Sequence, residues 1–168
     1  MREIIDWQRH YNELLPKVFR FFWFKVGDRS LSEDLASATF EKAWKSRGRF
    51  REDLGGFDSW VFGIARNVVS DHFRSQKPQE DFDETRLVSP SEQIENEVEK
   101  SEEFARLQQI LIILDSRERD LISYKYGAEL TNRQIAHLTG LSESNVGVIL
   151  FRAVEKLRSQ WEVEKNER

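Results

Sequence analysis

Residues 130–158 constrain this chain more than any other stretch, because nearly every position that a helix-turn-helix restricts carries a suitable residue. Thr131 followed by Gln134 forms a capping box, which marks a helix start. Ile135 and Ala136 fall inside the short first helix, where a small residue lets a second helix cross closely. Gly140 then suits a tight turn that needs positive φ. Leu141 follows, Ser142 can cap the next helix, and Val146, Ile149, Leu150, Ala153 and Leu157 give that helix one apolar stripe. Thr139 departs from the pattern, since an apolar residue is more usual there. The competing reading is an αα-hairpin that packs and binds nothing, its second helix being a core element with a solvated polar face.

At 168 residues the chain can form one ordinary domain or two small helical ones. Five Trp, twelve Phe and three Tyr supply core material despite the 33% of charged residues. The absence of cysteine excludes disulfides and thiolate metal sites and fits a reducing compartment, so a cytoplasmic location is expected. His10, His72 and His137 lack ligand spacing and read as ordinary surface or boundary residues. No paired carboxylates, nucleophile constellation, phosphate loop or metal set points to an enzyme, and no cofactor is expected. Arg2, Glu3, Asp6 and Arg9 leave no room for a signal peptide, and the apolar cluster from Phe19 to Phe24 is too short to span a bilayer, so no membrane insertion is expected.

The net charge of −4 hides an uneven distribution. Residues 1–77 hold 14 Lys or Arg against 11 Asp or Glu, and residues 104–168 hold 10 against 9. Residues 78–103 hold 2 against 10. Two slightly basic blocks therefore flank an acidic connector, and whole-chain charge is a poor guide to nucleic-acid binding. The connector, beginning at Ser75-Gln76-Lys77-Pro78 and running through Asp81, Asp83 and Glu84 to Ser89-Pro90-Ser91, is polar and proline-punctuated, as a flexible linker is.

Both blocks read as helical, with no β pattern and no internal repeat. In the first, residues 3–27 form a long amphipathic pattern ending at Gly27. Ser32 is expected to cap a second helix whose first turn carries Glu33 and Asp34. Residues 48–56 read as a loop in which Arg47, Arg49 and Arg51 interleave with Phe50, and a third helix runs from about Asp58 to Arg74. In the second block a helix starts from Ser91 and ends near Leu114. A short one from Ser116 to Tyr126 is stopped by Gly127, and the two motif helices follow. The fold class is therefore all-α: two small helical domains joined by an acidic flexible linker.

These patterns carry a resemblance. Ser32-Glu33-Asp34-Leu35, Thr39-Phe40 and Ala43-Trp44 resemble the region 2.2 helix of extracytoplasmic-function RNA polymerase sigma factors. Phe57, Trp60, Ile64-Ala65-Arg66-Asn67, Asp71 and Arg74 resemble their regions 2.3 and 2.4, and residues 114–158 resemble region 4. The resemblance implies region 2 over residues 1–76, a linker over 77–100 and region 4 over 101–168. It implies a bacterial initiation factor that joins core RNA polymerase through the β′ clamp helices and β flap, and directs it to minus-35 and minus-10 elements of promoter DNA. An anti-sigma factor is the expected regulator, since no sensor domain is appended.

Site residues follow from chemistry and resemblance together. Opening a duplex needs aromatic surfaces for unstacked bases and cations for the backbone; stacking contributes roughly 1–3 kcal/mol per base, comparable to the few kcal/mol needed to flip one. The minus-10 set is Arg49, Phe50, Arg51, Phe57, Trp60, Arg66, Asn67 and Arg74. Phe57 and Trp60 can equally be core residues, and by resemblance Asn67 lines a pocket for a flipped base. For polymerase docking the set is Asp34, Leu35, Ser37, Phe40 and Glu41, on a helix side expected to mix exposed acids with an exposed Phe40. The minus-35 set is Arg133, Ser142, Ser144, Asn145, Gly147, Val148, Phe151, Arg152 and Lys156. Here the recognition helix lacks the Lys-Ser-Arg-like triplet of many family members: Asn145-Val146 is followed by Gly147, Val148 and Ile149. Readout through shape, backbone and the helix start is expected, with Arg152 on phosphate or a guanine edge. Two other functions stay open: a stand-alone regulator using only the helix-turn-helix, and a sigma-like interaction protein that does not initiate transcription.

Overall fold

The structure, a computed structural model, describes residues 5–76 and 98–168, with the side chains of 98–101 outside that description. Those residues form seven α-helices and no strand. They are α1 (Trp7–Val26), α2 (Arg29–Lys45), α3 (Phe57–Ser75), α4 (Val98–Leu111), α5 (Ser116–Ile122), α6 (Asn132–Thr139) and α7 (Glu143–Asn166). A π-helical turn, Ser123–Gly127, continues α5, and two 3₁₀ turns, Arg47–Arg49 and Glu52–Leu54, lie between α2 and α3. The connector from Lys77, including the expected helix start at Ser91, lies outside the described residues up to Val98. No described helix is long and apolar enough to cross a membrane.

The helix ends obey local chemistry. Asp6 caps α1 by accepting from the Arg9 amide, and Gly27 closes it at φ 71°, its N–H donating to the Trp23 carbonyl at 2.9 Å. The expected Ser32 cap is corrected: the cap lies four residues earlier, where Asp28 accepts from the Leu31 amide at 2.7 Å. Ser32 is fully buried and donates its hydroxyl back to the Asp28 carbonyl, a bond that suits a serine inside a helix as well as one before it. Two capping patterns overlapped in the sequence, and the carboxylate took the cap.

One hydrophobic core runs through both blocks. Phe21, Phe22, Val61 and Phe62 of the first block are completely buried, as are Leu111 and Ile135 of the second. Phe21 stacks on Tyr124 at 5.0 Å and meets Phe62 edge-on at 5.7 Å, so one ring joins α1, α3 and the π turn. The second block also finishes α1. Arg119 donates to the Phe24 carbonyl at 2.9 Å, an acceptor at the helix C-terminus, and Gln108 adds a second bond, also 2.9 Å, to the Trp23 carbonyl that already accepts from Gly27. Burial pushes the Arg119 guanidinium below its usual value, with neighbouring Asp120 acting the other way.

Candidate nucleic-acid interface

The helix-turn-helix forms as its spacing predicts. Thr131 accepts from the Gln134 amide while the Gln134 carboxamide accepts from the Thr131 amide, completing the capping box before α6. Gly140 sits at φ 77°, the left-handed turn between α6 and α7. The Ser142 hydroxyl accepts from the Asn145 amide and caps α7. Thr139, the departure from the pattern, donates its hydroxyl to the Ile135 carbonyl and accepts from the Leu141 amide, so its polar atom is spent on the turn. Val146, Leu150 and Ala153 face the core, and Ile149 and Leu157 pack on its margin.

The outward face of α7 is mostly uncharged. Ser144, Asn145, Val148, Phe151 and Arg152 are exposed, Phe151 by 69%, and Gly147 is half-covered beside the Asn132 carboxamide. Arg133 is exposed near the start of α6. Neither Arg133 nor Arg152 forms an ion pair with a described residue. Lys156 is exposed on the same helix but is paired. Its ammonium sits 2.6 Å from the buried Glu118 carboxylate of α5, because one more turn along α7 brings the helix back over α5.

In the first block the 46–57 segment and the start of α3 form an aromatic corner. Phe57 is buried, with Phe50 at 5.3 Å, Trp60 at 5.5 Å, Trp7 at 5.7 Å and His10 stacked at 4.3 Å. Phe57 is thus the centre of the cluster, and Phe50 and Trp60, like Trp7 and His10, are half-buried around it. Arg49 is exposed, whereas Arg51 is held in a two-pronged pair by Asp53 at 2.6 and 3.1 Å. Farther along α3, Asn67 is exposed, Arg74 lies 3.6 Å from Asp71, and Arg66 donates to the Leu138 carbonyl of α6. Sequence reasoning placed Trp44 on its helix but in none of the site sets. It is 46% exposed and carries the Arg47 guanidinium 4.0 Å over its ring, a cation–aromatic pair that a three-residue spacing at a helix end signals.

On α2, Asp34, Ser37 and Glu41 share the exposed side, and a hydrogen bond from Lys45 holds the Glu41 carboxyl below its ordinary value. The expected exposure of Phe40 is corrected. It is 7% exposed and packs edge-on against Tyr11 at 4.8 Å, since α1 supplies an apolar partner on that side. Leu35 is likewise buried. Both hold the helix in place while the polar residues face outward. Among the described residues no cluster of His, Asp or Glu is placed to hold a metal ion.

Comparison with known proteins finds the same two parts in the same order. The family description "Sigma-70 region 2" matches residues 10–79, and "Sigma-70, region 4" matches residues 110–159. The ECF RNA polymerase sigma factor BldN of Streptomyces coelicolor is 30% identical over 159 residues, covering 89% of this chain and 58% of that protein. The chain therefore spans a little over half of that relative's length. ECF RNA polymerase sigma factor SigM of Bacillus subtilis is 26% identical over 153 residues, covering 89% of this chain and 91% of SigM. The solved structure of the sigma factor RpoE in complex with the anti-sigma factor NepR from Bartonella quintana shares the fold, with TM-score 0.72 at 19% identity over 95% of this chain and 99% of that one. CnrH in complex with the cytosolic domain of CnrY follows with TM-score 0.63 at 22% identity, covering 93% and 84%.

Proposed function

The chain belongs to the extracytoplasmic-function group of the sigma-70 family, and from that premise we propose that it is a bacterial transcription initiation factor. It acts in the cytoplasm, binds core RNA polymerase, directs it to minus-35 and minus-10 promoter elements and promotes strand opening. Residues 1–76 serve as region 2, 77–100 as the linker and 101–168 as region 4. The observation that carries the reading is the presence on one chain of a capped helix-turn-helix and, apart from it, an aromatic corner edged by Arg47, Arg49 and Arg51. A regulator that only bound duplex DNA would need the first and not the second.

Each part has a task its chemistry suits. Asp34, Ser37 and Glu41 present an acidic, hydrogen-bonding side of α2 to the β′ clamp helices, with Leu35 and Phe40 anchoring that helix from within. Arg49 and Arg51 hold the backbone of the melted strand while Phe50 and Trp60 receive unstacked bases and Phe57 supports both rings. Asn67 can pair with a base edge through donor and acceptor together, and Arg66 and Arg74 follow the strand along α3. In region 4, Ser142, Ser144 and Asn145 approach backbone and bases near the start of α7, Gly147 and Val148 allow close approach, and Arg133 and Arg152 engage phosphate. An anti-sigma factor is the expected regulator, as RpoE of Bartonella quintana forms a complex with the anti-sigma factor NepR and CnrH one with the cytosolic domain of CnrY.

Run-off transcription tests the proposal. Core polymerase supplied with this chain should produce a transcript that core alone does not. A stable complex with polymerase that yields no transcript from any member of a promoter library would replace initiation by the interaction-protein reading. The mostly uncharged recognition helix is the observation that favours that second reading.

A further inference from the structure

The outward side of α7 lacks a row of cations, yet it is not plain solvent surface. Phe151, 69% exposed, is the most exposed large apolar side chain among the described residues, and Val148, 44% exposed, stands three residues before it. Residues three apart on a helix are neighbours, with Cβ atoms about 5–6 Å apart, so the two form one apolar ridge. Neither packs on the hydrophobic core or on its margin. Gly147 lies one turn ahead of Phe151. A Cβ there would meet, among the described residues, only the Asn132 carboxamide at 3.8 Å, so the space on that side of the ring is open. From Glu143 to Arg152 the single cation is Arg152 itself, next to Phe151 in the chain.

In a major groove such a ridge has one partner of matching chemistry. Thymine alone presents a methyl group there, whereas the other bases present hydrogen-bond donors and acceptors. Covering a polar base edge with valine or phenylalanine strips its water and returns no hydrogen bond, which costs free energy. Covering a methyl removes apolar surface from water and gains it. We propose that Val148 and Phe151 read thymine methyl groups in the minus-35 element, selecting thymine by van der Waals contact where the helix offers no hydrogen-bonding side chain. This rests on the promoter-reading role proposed above and names what the helix selects. Stacked bases lie about 3.4 Å apart, so a ridge of this length meets methyls on neighbouring base pairs. Gly147 lets the backbone approach them, and Arg152 on a phosphate fixes the ridge in register. An uncharged recognition helix is then a reader of a different kind, with apolar contact in place of hydrogen bonds.

The test uses the full chain with core polymerase. Promoter fragments with a randomised minus-35 element are selected by binding. Each thymine of the selected element is then replaced singly by deoxyuridine, which removes the methyl and leaves base pairing unchanged. At the thymines under the ridge this should weaken binding by roughly fourfold, the worth of one buried carbon. Phe151→Ala and Val148→Ala should each bring the thymine-to-uracil ratio at its own position to about one, since a coupling vanishes when either partner is removed. Phe151→Leu should keep most of the ratio. Both side chains are exposed, so all three variants should melt at the parent's temperature. Equal binding of thymine and uracil at every position, a selected element without thymine, or an unchanged ratio in both alanine variants overturns the methyl reading. So does a Phe151→Ala variant that keeps its DNA preference and loses polymerase, which makes the ridge a protein contact. Run-off transcription from the selected promoters separates the two claims. A clear thymine-to-uracil ratio without transcript removes initiation and keeps the methyl contact, and a transcript without the ratio does the reverse. Where no complex with polymerase forms, the full chain alone makes the selection; failure of both to select DNA removes both claims.

Discussion

Replacing Gly127 by alanine probes the contact between the blocks most directly. In an ordinary helical turn this substitution stabilises by about 0.8–1.0 kcal/mol, because glycine loses more backbone entropy on folding. Here the new Cβ would stand 2.8 Å from the Phe21 Cα, 2.9 Å from its nitrogen and 3.0 Å from the Arg20 carbonyl oxygen. All three neighbours are backbone atoms of α1, so no side chain can rotate aside. The π turn and α1 must separate by several tenths of an ångström, loosening the Phe21–Tyr124 stack. Overpacking of this kind costs about 1–3 kcal/mol, which at least cancels the propensity gain and leaves a net loss of up to about 2 kcal/mol. With a urea m-value of about 2 kcal/mol/M, the midpoint should fall by up to roughly 1 M. Relief can also come by undocking, so small-angle scattering should show a larger radius of gyration for Gly127→Ala. Gly48→Ala is the control, since nothing lies within 4 Å of a Cβ at that site. Equal midpoints and equal dimensions for parent and Gly127→Ala would refute the backbone-to-backbone approach.

Asp34→Lys together with Glu41→Lys should leave helix content unchanged by circular dichroism and abolish co-purification with core polymerase; retained co-purification would remove α2 from the docking surface. Phe50→Ala and Asn67→Ala should each weaken strand opening by about 1–3 kcal/mol, more than they weaken the closed complex, as read by permanganate reactivity of promoter thymines. Arg152→Ala should weaken promoter binding about equally across single-base minus-35 variants and reduce the salt slope by roughly one unit, the pattern of a phosphate contact; a loss confined to one base position would instead assign it to a guanine edge. Burial, reinforced by Asp120, raises the Tyr124 phenol above its ordinary value. The fold retains a proton that the unfolded chain releases above about pH 10, so stability is full below that pH and falls above it. Tyr124→Phe should flatten this alkaline limb by up to about 1.4 kcal/mol per pH unit.

Sequence by itself determined the elements whose signals are local. The Thr131–Gln134 box, Gly140 and Ser142 specify caps and a left-handed turn within a few residues, and each forms where its spacing places it. The apolar stripe of α7 and the long pattern of α1 likewise need only a helical period, and the capping contest between Asp28 and Ser32 moved one boundary without changing the element. Tertiary structure decided which faces those helices spend. Phe40 lies inside because Tyr11 stands opposite it, Phe57 is central because four rings gather around it, and the half-exposed Lys156 pairs with Glu118. Apart from Trp60, three residues after Phe57, none of these partners is within a helical turn in sequence. The docking of the second block on α1 was least legible of all, since Gly127, Gln108, Arg119 and Glu129 acquire meaning only from the backbone and cations of a helix some 85 to 109 residues earlier in the chain. Caps and periodicity follow from bonds between near neighbours; burial and charge pairing depend on distances that close only when the chain has folded.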